Sequence, residues 1–333
     1  MARNTKAKAR LAWWTLAAAM AMGPVLAHET PAPGKAQTTA TATVPMQLQQ
    51  VAGNAYYVQG LSALGSSANQ NFISNAGFVV TDNSVVVIDA LGSPALAQEL
   101  VHLIKTVTPK PISHVLVTHY HADHIYGLQV FEALGARIVG NALAKEYLQS
   151  DTARLRLEAS RQELAPWIDD ATRMVAAGQW VSGDTTALKI GGVDFVLQHM
   201  GPAHTAEDTA VFLPGNGVLF IGDVVFRNRI PYVGQADSRH WIAALDALLK
   251  LPVKVMVPGH GPASTGPQAD MQLTRDYLVY LRESMGQAAK NLDPFEEAYQ
   301  ATDWSRFAGY PLFKAANRMN AYNTYLLMEQ EKP

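Results

Sequence analysis

The sequence predicts an α/β layered domain followed by a helical segment. From Met46 onward, short apolar runs rich in β-branched residues alternate with stretches whose apolar residues recur at helical spacing. After Gly266 only the helical spacing remains. Alternating strands and helices are typical of layered α/β domains. The 333 residues are 48% hydrophobic, which is enough for a sizeable core.

The first half of this domain is predicted to contain strands and two helices. Short β-branched runs predict strands at residues 56–58, 72–73, 77–80, 84–89, 112–117 and 138–139. Helical spacing predicts helices over residues 94–106 and 125–134. Gly135 is expected to end the second helix, since a glycine commonly follows the last turn.

Residues 142–177 are rich in Ala, Leu, Glu, Arg and Gln, and they predict a helical insertion that covers one edge of the domain. Strand patterns then return at residues 187–190, 193–198, 209–213, 217–221 and 253–257, with a helix over residues 238–249. We therefore expect a main domain over residues 46–265 and a C-terminal helical segment over residues 266–333.

The first 27 residues have the features of an export signal. Basic residues precede an apolar run that ends in small residues at Ala27. We expect cleavage there, with residues 28–45, rich in Pro and Thr, as a flexible linker. The alternative is an uncleaved membrane anchor, although the apolar run is short and interrupted by Gly23 and Pro24. The predicted location is periplasmic or secreted, without stable membrane insertion after cleavage.

Composition excludes several classes of protein. The absence of cysteine rules out a disulfide scaffold, a thiolate nucleophile and thiolate metal ligands. With 26 Lys plus Arg against 28 Asp plus Glu, the chain lacks the basic excess of a nucleic-acid binder. We therefore expect a small-molecule substrate and no nucleic acid, and the oligomeric state stays open.

The strongest chemical signal lies between Thr118 and His124. His119 and His121 follow a predicted strand, where residues two apart point to the same side and can bind one ion together. Asp123 and His124 come where the chain turns into the next helix, within reach of a second ion. Four residues capable of binding metal among six positions predict a metal site.

Three further candidate ligands stand close after predicted strands. They are His204, Asp223 and His260, each next to a glycine or in a short turn. Strand ends on one rim of an α/β domain are a common place for a site. With these residues the coordination of two ions would be complete.

This pattern resembles the metallo-β-lactamase-fold hydrolases, a family with a four-layer αββα sandwich, over roughly residues 46–265. The resemblance implies one metal on His119, His121 and His204, and a second metal on Asp123, His124 and His260. It further implies that Asp223 bridges the two ions and that Asp89 supports a ligand without binding metal. Imidazole and carboxylate ligands suit two zinc ions, with iron or manganese as alternatives.

The resemblance also implies a reaction. Two divalent ions would lower the pKa of a water, so that a metal-bound hydroxide attacks an activated acyl bond in a thioester, ester, lactone or β-lactam. Asp123 would accept a hydrogen bond from the hydroxide and steer it. Because β-lactamases of this family have cysteine or serine at the position of Asp223, a thioester, ester or lactone is favoured and a β-lactam is the alternative.

Residues 222–237 are similar to exported zinc hydrolases of the glyoxalase II-like type associated with quinoprotein-dependent catabolism and sulfur oxidation. Arg227 and Arg229 follow Asp223 closely and are candidates to bind a substrate carboxylate, and Tyr232 is a candidate wall of the pocket. The alternatives are ordinary surface or capping arginines and a core aromatic residue.

Three other functions compete with hydrolysis of an acyl bond. A metal-dependent nuclease is disfavoured by the acidic charge. An iron-dependent sulfur dioxygenase would leave more coordination positions open than this ligand set does. A non-catalytic accessory of a periplasmic oxidation system would not require the complete ligand set.

Overall fold

The computed structural model describes residues 40–234 and 236–331. The predicted signal peptide, residues 1–27, and residues 28–39 of the predicted linker lie outside this part of the chain. Ala42 and Val44, near the end of the predicted linker, pack against the hydrophobic core of the domain.

Within the described residues, the larger sheet has seven strands in sequence order. They are β1 (Leu48–Ala52), β2 (Ala55–Val58), β3 (Ala76–Val80), β4 (Val85–Ile88), β5 (Ile112–Leu116), β6 (Arg137–Asn141) and β7 (Gln179–Val181). The first four pair antiparallel, and β4 to β7 run parallel. The helices between them are α1 (Pro94–Val107), α2 (Ala122–Ile125), α3 (Leu128–Ala133), α4 (Ala144–Leu148) and α5 (Asp151–Glu163).

The smaller sheet has five strands in the described part of the chain. They are β8 (Thr185–Ile190), β9 (Val193–His199), β10 (Thr209–Leu213), β11 (Val218–Phe226) and β12 (Val255–His260). β11 and β12 are parallel and joined by α6 (Ser238–Leu248), whereas the other neighbours are antiparallel. The chain ends in α7 (Pro267–Asn291), α8 (Phe295–Ala301) and α9 (Phe313–Gln330).

The alternation of side chains along the strands builds the layers. In β4, Val85 and Val87 belong to the core shared with α1 and α3, because successive residues of a strand point to opposite faces. Val86 and Ile88 belong instead to the core between the two sheets. A third core packs the smaller sheet against α6, α7 and α9. This confirms the predicted αββα sandwich with a C-terminal helical extension.

Several predicted elements differ from the structure. Residues 164–177 of the predicted helical insertion contain no helix. Residues 72–73 are not a strand but part of a loop between β2 and β3. The helix predicted over residues 125–134 is broken into α2 and α3 at Gly127. A Cβ atom at Gly127 would lie 2.0 Å from the carbonyl oxygen of Ala90. The close approach of these two backbones explains the glycine.

Among the described residues, every helix is too short or too polar to span a lipid bilayer.

Candidate metal centre

The larger sheet contributes four of the candidate ligands. His119 and His121 lie in the loop after β5, and His121 is the N-cap residue of α2. Asp123 and His124 lie in α2 itself, so the short helix turns their side chains back toward the strand end. His119 and His124 are 1% and 0% exposed, which places them beneath the surface of the site.

The smaller sheet contributes the other three. His204 lies in the loop between β9 and β10, and His260 is the last residue of β12. Asp223 lies inside β11 and not after a strand as predicted, because β11 continues to Phe226 beyond the expected end at Ile221. A Cβ atom at Gly259 would lie 1.9 Å from Oδ1 of Asp223. Glycine at this position therefore leaves space for the carboxylate.

The seven side chains form two adjoining groups. His119, His121, His204 and Asp223 form the first, and Asp123, His124 and His260 form the second. Asp223 reaches both: Oδ2 lies 3.4 Å from Nε2 of His204 and 3.2 Å from Nε2 of His260, while Oδ1 lies 3.3 Å from Nε2 of His124. One carboxylate therefore stands between the two groups.

Asp89 orients two of the histidines. Its Oδ2 accepts hydrogen bonds from Thr118 Oγ1 at 2.8 Å and from Nδ1 of His124 at 2.9 Å. Since the Thr118 hydroxyl proton goes to Asp89, its oxygen is free to accept from Nδ1 of His119 at 3.1 Å. Both rings are thus held by Nδ1, which leaves each Nε2 facing the centre.

The loop before β3 orients His260. Its Nδ1 donates to the carbonyl oxygen of Ile73 at 2.7 Å, and its Nε2 faces Asp123 Oδ2 at 3.3 Å. Asn75 donates to the carbonyl oxygens of Pro258 and Gly261, both at 2.7 Å. Sequence reasoning missed Asn75 because an asparagine in a loop has no pattern of its own.

The side chains of the centre shift one another's pKa values. Burial, and then neighbouring His121, lower the pKa of His204 to about 3. Burial would also lower the pKa of His124, but the carboxylates of Asp123, Asp223 and Asp89 raise it well above its usual value. Burial would raise the pKa of Asp223, yet His260 and His124 hold it well below its usual range. The carboxylate of Asp223 is therefore ionised in the folded chain.

The donor set fits two metal ions. Among the described residues, the buried atoms His119 Nε2, His124 Nε2 and Asp223 Oδ1 have no hydrogen-bond partner. A buried polar atom without a partner costs about 1–3 kcal/mol, and here all three point into one centre. His121 and His204 face each other with Nδ1 and Nε2 only 2.9 Å apart. Ligand atoms pointing inward at this spacing match what a bound cation requires.

The predicted substrate-binding residues lie in different surroundings. Arg229 is 7% exposed, with Nη1 3.3 Å from Nδ1 of His260, and burial lowers its pKa. Tyr232 is 42% exposed, with its ring centroid 6.3 Å from that of His204. Arg227 donates to the carbonyl oxygen of Ala263 at 2.6 Å and pairs with Asp270 at 2.9 Å. Arg229 and Tyr232 thus adjoin the centre, whereas Arg227 is engaged by protein groups.

Other residues near the centre were not predicted. Tyr147 of α4 lies with its ring 6.5 Å from that of His121. Asp208 accepts hydrogen bonds from Thr205 N and Oγ1, both at 2.8 Å, and so shapes the turn that carries His204. The run of histidine, threonine and acidic residues at positions 204–208 is the signal that could have indicated this turn.

Comparison with known proteins identifies a family. The sequence pattern of the metallo-beta-lactamase superfamily matches residues 70–260, more than half of the chain and the whole span from the loop before β3 to His260. Metallo-beta-lactamase IND-1 of Chryseobacterium indologenes is 25% identical over 201 residues, which cover 59% of this chain and 75% of that enzyme.

Sulfatases also match. A linear primary-alkylsulfatase of a Pseudomonas strain is 24% identical over 261 residues, covering 68% of this chain and 49% of the enzyme. The structure of the sec-alkylsulfatase Pisa1 of Pseudomonas sp. matches with a TM-score of 0.70 at 17% identity, over 85% of this chain and 50% of that chain. The chain therefore spans about half the length of these two sulfatases and shares the fold of Pisa1.

Proposed function

The chain belongs to the metallo-beta-lactamase superfamily, and on that premise we propose that it is a dinuclear zinc hydrolase that cleaves a thioester, an ester or a lactone. The position of Asp223 between two groups of ligands carries the proposal. His119, His121 and His204 would hold one ion, Asp123, His124 and His260 the other, and Asp223 both. Zinc suits a centre of imidazole and carboxylate, and iron or manganese would be the alternatives.

Two divalent ions, when bound, would supply a water of lowered pKa and an electrophile for the acyl oxygen. The protein residues supply orientation. Asp89, Thr118 and the Ile73 carbonyl fix three imidazole rings, so little reorganisation is needed during the reaction. The burial of the histidines keeps bulk water away from the centre.

Asp123 is the proposed catalytic residue. Its side chain is 17% exposed, more than the 5% of Asp223, so it borders the space from which a substrate would arrive. The pKa of Asp123 is lowered well below its usual range: burial alone would raise it, but His124 and His260 outweigh burial. An ionised Asp123 would accept a hydrogen bond from the attacking water and direct its lone pair.

The residue at position 223 supports an acyl substrate of the thioester, ester or lactone type. A bridging aspartate distinguishes such enzymes from β-lactamases, which have cysteine or serine there. Cleavage of a β-lactam is the second candidate, favoured by the match with IND-1. A sulfate ester is included among the substrates tested because the match with Pisa1 covers 85% of the chain, which is more than the main domain alone.

Arg229, Arg227 and Tyr232 are the proposed substrate contacts. Arg229 is nearly buried beside His260, where a guanidinium could bind a substrate carboxylate in a fork geometry. Arg227 would serve only if substrate replaced the carbonyl groups it now contacts. Export to the periplasm or medium is part of the proposal and rests on the basic and apolar pattern of residues 1–27.

The test is a substrate panel with the mature chain loaded with zinc. A p-nitrophenyl ester, an acyl thioester, a homoserine-type lactone, a chromogenic cephalosporin and an alkyl sulfate would be assayed side by side. We expect cleavage of the acyl substrates, and loss of it in His121→Ala but not in His102→Ala, which alters an exposed histidine of α1. Efficient turnover of the cephalosporin or sulfate alone would overturn the assignment.

A further inference from the structure

Tyr232 is an exposed aromatic residue beside the metal centre. Its neighbours Pro231 and Val233 are buried, whereas the Tyr232 ring is 42% exposed beside His204. The ring also packs back on Gly234, where a Cβ atom would lie 3.0 Å from Cε1 of Tyr232. Gly234 has a φ of +54°, a conformation that glycine adopts readily. The loop thus presents one aromatic ring at the edge of the centre.

The C-terminal segment fixes this loop from behind. Asn320 of α9 is 0% exposed and bonds the backbone on both sides of Tyr232. Its Nδ2 donates to the carbonyl oxygen of Pro231 at 2.7 Å, and its Oδ1 accepts from Val233 N at 3.0 Å. Nδ2 of Asn320 also donates to Tyr277 Oη at 3.0 Å. One side-chain amide therefore holds the backbone on both sides of Tyr232.

A second bond ties the same loop to the C-terminal segment. Ile230 N donates to the carbonyl oxygen of Pro311 at 3.0 Å. Tyr147 lies with its ring centroid 6.5 Å from that of His121. The neighbouring pair His121 and His204 thus has a tyrosine ring beside each member. Such a border is apolar over its ring faces and accepts flat or aliphatic groups.

We propose that Tyr232 binds the apolar part of the substrate and that Asn320 is the positioning residue that sets Tyr232 at the centre. The inference rests on the proposed function and names the substrate class within it, an acyl compound with an aryl or alkyl group next to the scissile bond. The C-terminal segment shapes the binding site through this contact without touching substrate itself.

The chain offers a matched control one turn away in α9. Asn317 is also 0% exposed and makes two side-chain hydrogen bonds, against three for Asn320: it accepts from Tyr277 Oη at 2.8 Å and donates to Tyr299 Oη at 3.1 Å. Neither of these bonds involves the loop of Tyr232. Asn317→Ala and Asn320→Ala should therefore cost similar stability, and only Asn320→Ala should alter binding at the centre.

The experiment measures binding and turnover separately in the zinc-loaded full chain. Calorimetry gives the Kd of benzoate and of acetate, and p-nitrophenyl butyrate gives KM and kcat. We expect wild type to prefer benzoate, and Asn320→Ala and Tyr232→Ala each to weaken benzoate about five- to tenfold with little change for acetate. For the ester, KM should rise while kcat changes little. The double variant should be no weaker than Tyr232→Ala alone.

Several outcomes would overturn the proposal. One is equal affinity of wild type for benzoate and acetate. Another is unchanged benzoate binding in Asn320→Ala, or a loss as large in Asn317→Ala. If Asn320→Ala fails to fold, Tyr232→Ala and Tyr232→Phe still test the contact with benzoate, because they alter an exposed side chain. Binding of benzoate and acetate is measured without turnover. If no ester is hydrolysed, the proposed function is contradicted, but the two Kd values still show whether Tyr232 contacts the aromatic ring.

Discussion

Asp89 holds His124 by a hydrogen bond of 2.9 Å between its Oδ2 and Nδ1 of the imidazole. The same oxygen accepts the Thr118 hydroxyl proton, and Oδ1 accepts Thr118 N at 2.8 Å. Asp89 itself has a φ of +59°, an uncommon conformation for a residue other than glycine. The strained backbone and the three hydrogen bonds place one buried carboxylate where it fixes the tautomer of a proposed ligand.

Asp89→Asn should weaken zinc binding about 10- to 100-fold. An asparagine amide group at the position of Oδ2 would present a donor to His124 Nδ1 and to the Thr118 hydroxyl, so His124 would be driven to the tautomer protonated at Nε2. Chelator competition measures the zinc Kd. The control is Asp194→Asn, which alters an exposed carboxylate paired with Lys189. This substitution should leave the zinc Kd unchanged. An unaltered Kd in Asp89→Asn would show that the tautomer is fixed by other groups.

Asp223→Ala should lower zinc occupancy of both sites, since its two oxygens face ligands of both groups. Elemental analysis after gel filtration gives zinc per chain. We expect fewer than one ion per chain, against two in wild type. Two tightly bound ions together with full activity in this variant would exclude a bridging role for Asp223.

Asp123→Ala should abolish turnover and leave the first ion partly bound. Asp123 contacts His124 and His260 of the second group, whereas His119, His121 and His204 belong to the first group. The measurement is kcat for p-nitrophenyl butyrate together with zinc per chain. If one ion stays bound and activity persists within tenfold of wild type, Asp123 is not the catalytic residue.

Asp208→Asn should stabilise the chain at pH 8 more than at pH 6. Burial raises the pKa of Asp208 to about 8, although the hydrogen bonds from Thr205 oppose the shift. An acid whose pKa is higher in the folded than in the unfolded chain binds its proton more tightly when folded. The contribution of such a group to the stability of the folded chain is fully present below its pKa in the unfolded chain. This contribution is lost as the pH rises toward its folded-state pKa of about 8. Asparagine does not ionise and avoids this loss.

Thermal unfolding of both metal-free chains from pH 6 to pH 9 measures the difference. We expect the Tm gap to widen by about 5–10 °C, because a folded-state pKa of about 8 corresponds to about 2–3 kcal/mol over this pH range and each kcal/mol shifts the Tm by about 2–4 °C in a large chain. The exposed Asp194→Asn variant serves as the control. A constant gap across this pH range would mean that Asp208 is already ionised at pH 6.

The sequence was sufficient to predict the layers and the group of proposed ligands, because both follow from local patterns. Period-two and helical spacing set the sandwich, and His119 to His124 are close in sequence. Asn75 and Asn320 could not be predicted in the same way. Asn320 acts 89 residues from Pro231, and only the packing of α9 against α7 and the loop after β11 brings them together. The break at Gly127 likewise depends on the distant backbone of Ala90.

The most direct test of the proposed two-ion hydrolase is a zinc titration of the chain after removal of all metal by a chelator. Bound zinc and hydrolysis of p-nitrophenyl butyrate are followed at each addition. We expect binding to reach two ions per chain and hydrolysis to reach its maximum only as the second ion binds. Full hydrolysis without added zinc, or binding that stops at one ion per chain, would contradict the two-ion centre around Asp223.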